Sequence, residues 1–388
     1  MSNTQTKNVP ELRFPGFEGE YSLDIFGNLA TNKSDKFNPQ NENASIDIEL
    51  DCIEQNTGRL IKIYNSKEFS SQKNKFNPQN VLYGKLRPYL NKYYFTKKSG
   101  VCSSEIWVLK STKEDKLLNL FLYYFIQTKR YSDVASKSAG SKMPRADWGL
   151  IENIRVYFPE LCEQQKIGEF FSKLDRQIEL EEQKLELLQQ QKKGYMQKIF
   201  SQELRFKDEN GNDYPDWEEK MIKDVYEITR GLVLSKKLIS KKTNDVNKYP
   251  VYSSQTTNNG LMGYYSNYLY KDSITWTTDG ANAGSVSYRS GKFYCTNVCG
   301  VLINEKGNSN LCMSEMLNRI AFKHVSKVGN PKLMNNVMAM VKLNFPCIEE
   351  QLKIARFIEA VEKNIINQER KIDLLKQVKN GLLQKMFI

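Results

Sequence analysis

Residues 158–200 read FPELCEQQKIGEFFSKLDRQIELEEQKLELLQQQKKGYMQKIF, and residues 345–387 read FPCIEEQLKIARFIEAVEKNIINQERKIDLLKQVKNGLLQKMF. The two segments align without a gap, position 158 against position 345. Self-similarity over this length is typical of a repeated structural unit. The positions that share a residue type include Pro159/Pro346, Gln164/Gln351, Lys166/Lys353, Gly194/Gly381 and Phe200/Phe387.

A shorter repeat extends the first one. Residues 201–206 read SQELRF, and residues 10–14 read PELRF. Nothing equivalent follows the second long segment in this chain. We therefore predict a circular repeat, in which the N-terminal segment 1–19 supplies in space what is missing after residue 387. Such an arrangement has approximate two-fold symmetry carried by one chain instead of a dimer.

Apolar residues in both long segments recur at alternating steps of four and three, which is typical of a coiled-coil seam. The pattern predicts two long helices that pair antiparallel within the chain. Each would span about 50 Å at 1.5 Å per residue, more than one turn of B-DNA, which makes the pair a candidate ruler. The apolar seam positions are Ile167, Phe171, Leu174, Ile178, Leu185, Leu188, Tyr195 and Ile199, and then Ile354, Ile358, Val361, Ile365, Ile372, Leu375, Leu382 and Met386.

Two seam positions are polar in both copies, Glu181/Gln368 and Lys192/Lys379. Polar seam residues cost stability and tend to fix register or partner. The alternative is that these positions face solvent. Gly194/Gly381 interrupts each helix at a cost of about 1 kcal/mol relative to Ala, which suggests a close helix crossing or a bend.

Two globular regions alternate with the helices: head 1 (residues 20–157) and head 2 (residues 201–344, including a short linker). Both contain short β-like runs broken by Gly, Asn and Pro, which predicts an α+β fold with a twisted sheet in each. Weak correspondences join them, VCSSE at 101–105 with YCTNV at 294–298 and Pro144 with Pro331. The predicted strands include residues 81–86, 101–109, 272–278 and 293–303.

The charge balance favours a polyanionic partner. The chain has 57 Lys and Arg against 45 Asp and Glu, a formal net charge of +12 and a pI of about 9.1. Nucleic acid is the commonest such partner, although an excess of this size can also serve solubility alone.

The sequence offers no catalytic or metal-binding motif. Its seven Cys form no CxxC pair, and it has one His, His324, so we expect reduced thiols and no zinc site. Phosphate-loop and Pro-Pro-Tyr-like motifs are absent, and PDWEEK at 215–220 places its acids too close together for a nuclease. A polar N-terminus and the lack of an 18-residue apolar run lead us to expect a cytoplasmic protein.

Over essentially its whole length, the chain resembles the specificity (S) subunit of type I restriction–modification systems. The resemblance rests on PELRFPGF at 10–17, on the FP-x3-EQ-x-KI helix starts at 158 and 345, and on QKIF and QKMF at the helix ends. VLYGKLRPYL at 81–90, YPVYSSQ at 249–255 and TWTTDGAN at 275–282 are similar to segments of the family's recognition domains.

The resemblance implies two target recognition domains, at 20–157 and 201–344, each of which reads one half of a bipartite, asymmetric DNA target. The shared helical regions at 158–200 and 345–388 would set the spacer and bind two modification (methyltransferase) subunits, with restriction (motor and nuclease) subunits in the full complex. This chain would then be a non-catalytic recognition subunit. S-adenosylmethionine, ATP and Mg²⁺ would bind to partner subunits, and none of them to this chain. The alternatives are an autonomous DNA-modifying enzyme and a coiled-coil scaffold that does not bind DNA.

Candidate DNA contacts are polar side chains clustered in Gly-, Asn- and Ser-containing loops. Lys and Arg neutralise phosphates or pair with guanine, while Gln and Asn pair with adenine. In head 1 the candidates are Lys85, Arg87, Lys92, Ser103, Ser141, Lys142 and Arg145. In head 2 they are Ser253, Ser254, Gln255, Asn258, Asn259, Thr277, Thr278, Asp279, Asn297 and Lys332.

Overall fold

The computed structural model describes residues 8–43, 45–68, 70–137, 143–254 and 257–388. The chain forms two compact units, the first made of Met1–Gln183 with Arg370–Ile388 and the second of Lys184–Glu369. Helix α5 (Leu161–Phe200) begins in the first unit and ends in the second, and α9 (Ile348–Met386) does the reverse. The two long helices predicted from the repeat are therefore confirmed, each about 60 Å long at 1.5 Å per residue.

The first unit contains head 1, and its strands form three sheets. The sheet orders are β1-β11, β2-β10-β7-β8 and β3-β6-β9-β4-β5. The strands are β1 (Ser22–Ile25), β2 (Ala30–Thr31), β3 (Lys36–Phe37), β4 (Ile46–Ile48), β5 (Tyr64–Asn65), β6 (Lys73–Phe76), β7 (Val81–Gly84), β8 (Tyr93–Phe95), β9 (Gly100–Cys102), β10 (Ile106–Ser111) and β11 (Arg155–Phe158). The short helices are α1 (Phe26–Leu29), α2 (Asn119–Phe125), α3 (Lys129–Ala135) and α4 (Trp148–Ile151).

The second unit contains head 2, and here one larger sheet replaces two of the smaller ones. Its orders are β12-β19 and β13-β18-β16-β17-β14-β15. The strands are β12 (Glu218–Met221), β13 (Glu227–Arg230), β14 (Tyr249–Tyr252), β15 (Leu261–Tyr265), β16 (Tyr270–Thr277), β17 (Val286–Cys295), β18 (Cys299–Ile303) and β19 (Lys342–Phe345). The short helices are α6 (Ile222–Val225), α7 (Leu311–Ala321) and α8 (Asn335–Ala339). The predicted α+β fold is confirmed for both heads.

The main core of each unit joins a head to the long helices. In the first unit α2 packs on the buried start of α5 and on the end of α9, and Phe121 lies 4.8 Å from Phe387 between ring centroids. In the second unit α7 packs in the same way on Ile354 of α9 and Ile199 of α5. Burial of these apolar faces holds each head against its own helix segments.

The strand predictions were right in place and wrong in continuity. The run predicted at 101–109 is two strands, β9 and β10, and the run at 293–303 contains the end of β17 and all of β18. A tight turn separates the strands in both heads: the amide of Ile106 bonds to the carbonyl of Ser103, and that of Cys299 bonds to Thr296, each at 3.0 Å. The polar residues of each turn do not take part in the hydrogen-bond ladder of the sheet. A run of β-forming residues in the sequence does not reveal such a break.

Within each unit the two long helices run antiparallel, and the polar seam residues form ion pairs. In the first unit Lys379 Nζ lies 2.6 Å from Asp175 Oδ1. In the second, Lys192 Nζ lies 2.8 Å from Glu362 Oε1. These two pairs occupy equivalent positions of the repeat. The alternative that these positions simply face solvent does not hold for Lys379, which is 7% exposed, while a role in fixing register stays a prediction.

The seam prediction fails at Tyr195, which is 43% exposed, and its counterpart Leu382 is only partly buried. Met196 and Leu383, one residue further on, are buried instead, while the predicted Ile199 and Met386 are buried as expected. A straight α-helix drifts by about 20° per heptad against an exact seven-residue repeat, which favours the next residue at this position. A close helix crossing at Gly194 and Gly381 is also wrong, because no atom of a neighbour lies within 4 Å of a Cβ placed at either glycine.

Candidate nucleic-acid interface

Each head is attached to the start of a long helix by a buried carboxylate. In the first unit Glu163, which is 1% exposed, receives hydrogen bonds from Nε and Nη2 of Arg13 at 2.9 and 2.7 Å. The hydroxyl of Tyr21 donates to the same carboxylate at 3.2 Å, and burial beside Glu163 raises the pKa of Tyr21, which keeps that proton in place. Paired and saturated with donors, the carboxylate is stable in the interior.

We call this arrangement a clamp, and the second unit contains an equivalent one. Glu350 is 0% exposed and receives bonds from Nε and Nη2 of Arg205 at 3.2 and 2.8 Å. The indole Nε1 of Trp217 donates to it at 2.8 Å. Arg205 belongs to the QELRF motif and Arg13 to PELRF. The arginine of each motif therefore binds the buried glutamate of its own unit.

Backbone pairing completes the equivalence. The amide of Leu12 bonds to the carbonyl of Lys385 at 3.0 Å, and the amide of Leu204 bonds to that of Lys198, also at 3.0 Å. Lys385 and Lys198 are matching positions of the helical repeat. Leu12 thus bonds to the end of α9 as Leu204 bonds to the end of α5, which supports the predicted circular repeat.

The glutamine that follows each of these glutamates binds the residue directly before a short helix of the head, α2 in the first unit and α7 in the second. Gln164 Oε1 accepts from the amide of Leu118, and Gln351 Oε1 accepts from Asn310 Nδ2, at 2.9 and 2.8 Å. Both glutamines also donate at 2.8 Å to the carbonyl of the Pro that precedes their helix. Sequence reasoning found this pair as a repeat but assigned it no role, since the role depends on a partner far along the chain.

In head 1 the loops after β7 and around residue 145 meet at one end of the sheet. The amide of Arg87 bonds to the carbonyl of Pro144 at 2.7 Å, and the amide of Ala146 bonds to the carbonyl of Lys85 at 2.8 Å. Arg145 holds Glu105 through two bonds, at 2.9 and 3.0 Å, and this contact keeps the pKa of Glu105 below its usual value. The structure thus brings together Lys85, Arg87 and Arg145, which we call readout surface 1 together with Ser103.

Head 2 has the same backbone arrangement with other side chains. The amide of Gly280 bonds to the carbonyl of Pro331 at 2.9 Å, and that of Leu333 bonds to Thr278 at 2.8 Å. The weak correspondence of Pro144 with Pro331 therefore reflects equivalent positions. Asp279 and Lys332 are bridged, with 4.0 Å between their charged groups. Readout surface 2 comprises Ser253, Ser254, Asn258, Asn259, Asp279, Asn297 and Lys332.

Two further loops belong to readout surface 2. Ser253 Oγ is 2.9 Å from Thr296 Oγ1, which ties the loop after β14 to the turn that carries the exposed Asn297. Asn282 Nδ2 donates to the carbonyl of Ser254 at 3.0 Å. The polar groups predicted from three separate segments thus meet at one place.

Some candidates occupy supporting positions. Lys92 Nζ donates to the carbonyl of Leu50 at 2.6 Å, and Thr278, which is fully buried, donates to Asp279 at 2.6 Å. Thr277 is buried as well. These side chains stabilise the shape of the loops rather than present a free polar group at the surface. Ser141, Lys142 and Gln255 lie outside the described residues.

Sequence reasoning missed Arg289 on β17. Its Nη1 donates to the carbonyl of Asn259 at 2.9 Å, its Nε donates to Thr275 at 3.1 Å, and its guanidinium lies 3.9 Å from the ring centroid of Tyr252. Burial lowers the pKa of this arginine. It supports Asn258 and Asn259, which both have left-handed backbone angles, φ 52° and 51°. A single Arg between two predicted strands carried no signal of this role.

The two heads thus present two unlike polar surfaces, each built on the same backbone scaffold. Comparison with known proteins identifies the kind of protein. The family model of the type I restriction modification DNA specificity domain matches residues 20–190 and again 214–377. The chain belongs to this family. Among the described residues, no helix is both long enough and apolar enough to cross a membrane.

Individual relatives agree with the family. A type I specificity subunit of Mycoplasma pneumoniae is 36% identical over 225 residues, which cover 55% of this chain and 84% of that protein. The specificity subunit of the type I restriction enzyme MpnII, from the same organism, is 40% identical over 152 residues, 38% of this chain and 44% of that protein. The chain thus covers less than half of some of the curated relatives that it matches.

The fold has been solved in a distant relative. The crystal structure of the S subunit of a type I restriction–modification system from M. genitalium superposes with a TM-score of 0.61. The match covers 98% of this chain and 99% of that one at 15% sequence identity. The shared architecture therefore persists where most of the side chains differ.

Proposed function

We propose that this DNA specificity protein reads an asymmetric, two-part DNA target, one half through readout surface 1 and the other through readout surface 2. The observation that carries the proposal is the equal backbone scaffold with unequal side chains at Arg87/Gly280 and Arg145/Lys332. Different donors and acceptors at one place on two equivalent domains are suited to different bases. The net charge of +12 supports binding to the phosphate backbone as well.

The long helices serve in this proposal as spacer and as support for partner subunits. Two modification subunits would bind the helical regions and carry out methylation, and restriction subunits would join the full complex. S-adenosylmethionine, ATP and Mg²⁺ would then bind to those partner subunits. The role of this chain would be recognition without chemistry of its own.

Methylation mapping tests the reading function directly. DNA from cells that carry this chain with its modification partner should show one methylated motif of two unlike halves separated by an unread spacer. A symmetric motif would contradict the assignment of one half to each head. Methylation or cleavage by the purified chain alone, with Mg²⁺ and S-adenosylmethionine, would contradict its non-catalytic role.

The spacer role is tested by a matched pair of insertions. One heptad is inserted into α5 between Glu182 and Lys192 and one into α9 between Glu362 and Lys371, so that the ion pairs Lys371–Glu181 and Lys192–Glu362 can still form. Seven residues add about 10 Å of helix, the length of about three base pairs. We expect a spacer longer by that amount with both half-sites unchanged, and an unchanged spacer would refute the role. The control is the α5 insertion alone, which takes the pairs out of register.

A further inference from the structure

Head 2 contains a strongly basic segment that the readout surfaces do not include. Residues 232–248, here called the basic arm, join β13 to β14 and read LVLSKKLISKKTNDVNK. All of its lysines are exposed, and Asp245 is its only acidic residue. Within the described part of the chain, none of these ammonium groups has a carboxylate at ion-pair distance. The lysines are Lys236, Lys237, Lys241, Lys242 and Lys248.

Some other exposed lysines of head 2 have a carboxylate partner nearby. Lys342 lies 2.8 Å from Glu219, and Lys220 lies 2.6 Å from Glu218. The basic arm differs from these positions in the density of its uncompensated charge, with five such lysines within 17 residues. Repulsion among its ammonium groups is relieved when a polyanion lies against them.

The basic arm begins directly against readout surface 2. The amide of Gly231 bonds to the carbonyl of Cys299 at 2.9 Å, and that of Leu232 bonds to Cys295 at 3.2 Å, so the two bonds bracket the turn that carries Asn297. A Cβ at Gly231 would lie 2.2 Å from the carbonyl oxygen of Cys295, so only glycine allows this approach. The start of the arm is thus fixed beside a proposed base-reading side chain.

A second attachment holds the middle of the arm. Ser240 and Tyr264 exchange two backbone hydrogen bonds, at 2.9 and 2.8 Å, which tie the arm to β15. Because β13 and β15 are the two outer strands of the six-stranded sheet, the arm leads from one edge of the sheet to the other. Its lysines are therefore held on a defined path instead of a free loop.

The arm also exposes two adjacent apolar side chains, Leu232 at 56% and Val233 at 78%. Head 1 treats the equivalent stretch differently, since the chain after β2 forms β3 there and pairs with β6. Phe37 of β3 is consequently only 4% exposed. Among the described residues of head 2 the matching stretch forms no strand, and its apolar pair remains exposed.

We propose that the basic arm is a second DNA-contact surface, which binds the phosphates that flank the bases read by head 2. Its lysines lie along the backbone as point charges, and Leu232 and Val233 pack against the sugars next to the readout turn. Phosphate contacts position a protein on the duplex without specifying sequence. The inference rests on the proposed DNA-reading function and deepens it, because it adds a phosphate-binding surface to head 2.

Salt dependence of DNA binding tests the arm on the full-length chain with random-sequence duplex DNA. The variants are Lys236→Gln with Lys237→Gln, and Lys241→Gln with Lys242→Gln. Each neutralised phosphate contact contributes about 0.9 to the slope of log K against log salt, so each double variant should lower the slope by about 1.8.

The matched control is Lys223→Gln with Lys306→Gln. Both lysines are exposed and lie near the far end of β13 and β18, where Glu227 pairs with Ile303. Loss of two charges there should leave the slope unchanged. A slope that falls equally in control and arm variants would show a general charge effect and overturn the inference.

The remaining outcomes separate the arm from the proposed function. If the wild-type chain binds DNA with a steep salt slope and the arm variants keep that slope, the arm is not a DNA contact, while the reading function stands. If the wild-type chain shows no salt-dependent binding, the reading function itself fails.

Methylation maps of the arm variants should retain both half-sites, and a changed half-site would overturn the assignment to phosphates. Leu232→Ser with Val233→Ser should weaken binding at an unaltered slope, and equal affinity would remove the apolar pair from the contact.

Discussion

The two heads place unlike side chains on one backbone scaffold. In head 1 the residue between Pro144 and Ala146 is Arg145, which donates two hydrogen bonds to Glu105. In head 2 it is Lys332, whose ammonium is 4.0 Å from Asp279 and more than half exposed. The backbone bonds that carry both positions agree closely, at 2.8 Å for Ala146 to Lys85 and for Leu333 to Thr278. The contrast teaches that main-chain bonding fixes the position of the surface residue, while its side chain is free to change.

The attachment of the heads shows no such contrast. Both units use a buried glutamate, an arginine from the same short motif and one aromatic donor. A desolvated carboxylate requires all of these partners, so this part of the repeat tolerates little change. The following predictions test how far the two heads are alike and where they separate, beginning with the largest effect.

The clamps should matter equally in both units. Arg13→Met and Arg205→Met each leave a glutamate that is at most 1% exposed without its cation, at a cost of about 3–5 kcal/mol in unfolding free energy. Urea denaturation of each variant measures this cost. Lys342→Met is the control, since it breaks a pair with both side chains more than half exposed, where solvent screens the attraction, and it should cost much less than either of these variants. A large loss for Arg205→Met with none for Arg13→Met would break the equivalence of the N-terminal segment with residues 201–206.

The readout surfaces should separate the heads. Lys85→Ala with Arg87→Ala should relax or abolish one half-site, and Asn297→Ala with Lys332→Ala should affect the other. Each lost base contact is worth about 1–3 kcal/mol of discrimination. Methylation maps give the result, and the half-site of the unaltered head serves as internal control. Changes in both half-sites from one variant would contradict independent reading.

The seam pairs should differ in size because they differ in burial. Lys379 is 9% exposed and also donates to Gln127 at 3.0 Å, while Lys192 is 28% exposed. Lys379→Met should cost about 3 kcal/mol, as it leaves Asp175 partly buried and unpaired, and Lys192→Met about 1 kcal/mol or less. Thermal or urea unfolding of the two variants provides the comparison. Equal costs would show that the symmetry of the pairs extends to their energetics.

The smallest expected effect is the pH dependence of head 1. Arg145 lowers the pKa of Glu105 below 4.5, so the pair stabilises the fold fully above pH 4.5 and loses its contribution as the pH falls through the lowered pKa. Both side chains are partly exposed, at 49% and 28%, so solvent screens the pair and its contribution to stability is small. Glu105→Gln should therefore lose less stability than the wild type between pH 6 and pH 3. An identical pH profile in the two proteins would exclude the pair as a source of it.

The local patterns in the sequence were informative where the interaction is periodic or repeated. The four-three spacing predicted both long helices, and the recurrence of ELRF predicted the circular repeat that Arg13 and Arg205 now document. Errors arose where a pattern was extended beyond its reach. Tyr195 followed the heptad but not the drift of a straight helix, and Gly194 was taken for a close crossing that the packing does not contain.

The candidate site was predictable by loop and less so by residue. Polar residues in Gly-rich loops indicated Arg87, Arg145 and Asn297, which do lie at the ends of their sheets. Arg289 gave no signal, because its function depends on Tyr252 and Asn259, which are distant in sequence. Thr278 carried a signal and yet is buried, since the chain turns its hydroxyl toward Asp279.

The amino-acid sequence by itself determined the helices, the repeat, the α+β character of the heads and the family. All of these depend on hydrophobic spacing and on motifs of a few neighbouring residues, which act over one or two turns of chain. Only the tertiary structure decided which carboxylate each arginine clamps, which lysines of the seam are buried, and that Gly231 sets the basic arm against the turn at Asn297. Those outcomes depend on desolvation and on hydrogen-bond partners more than a hundred residues apart, or on the approach of two backbones, and no local pattern encodes them.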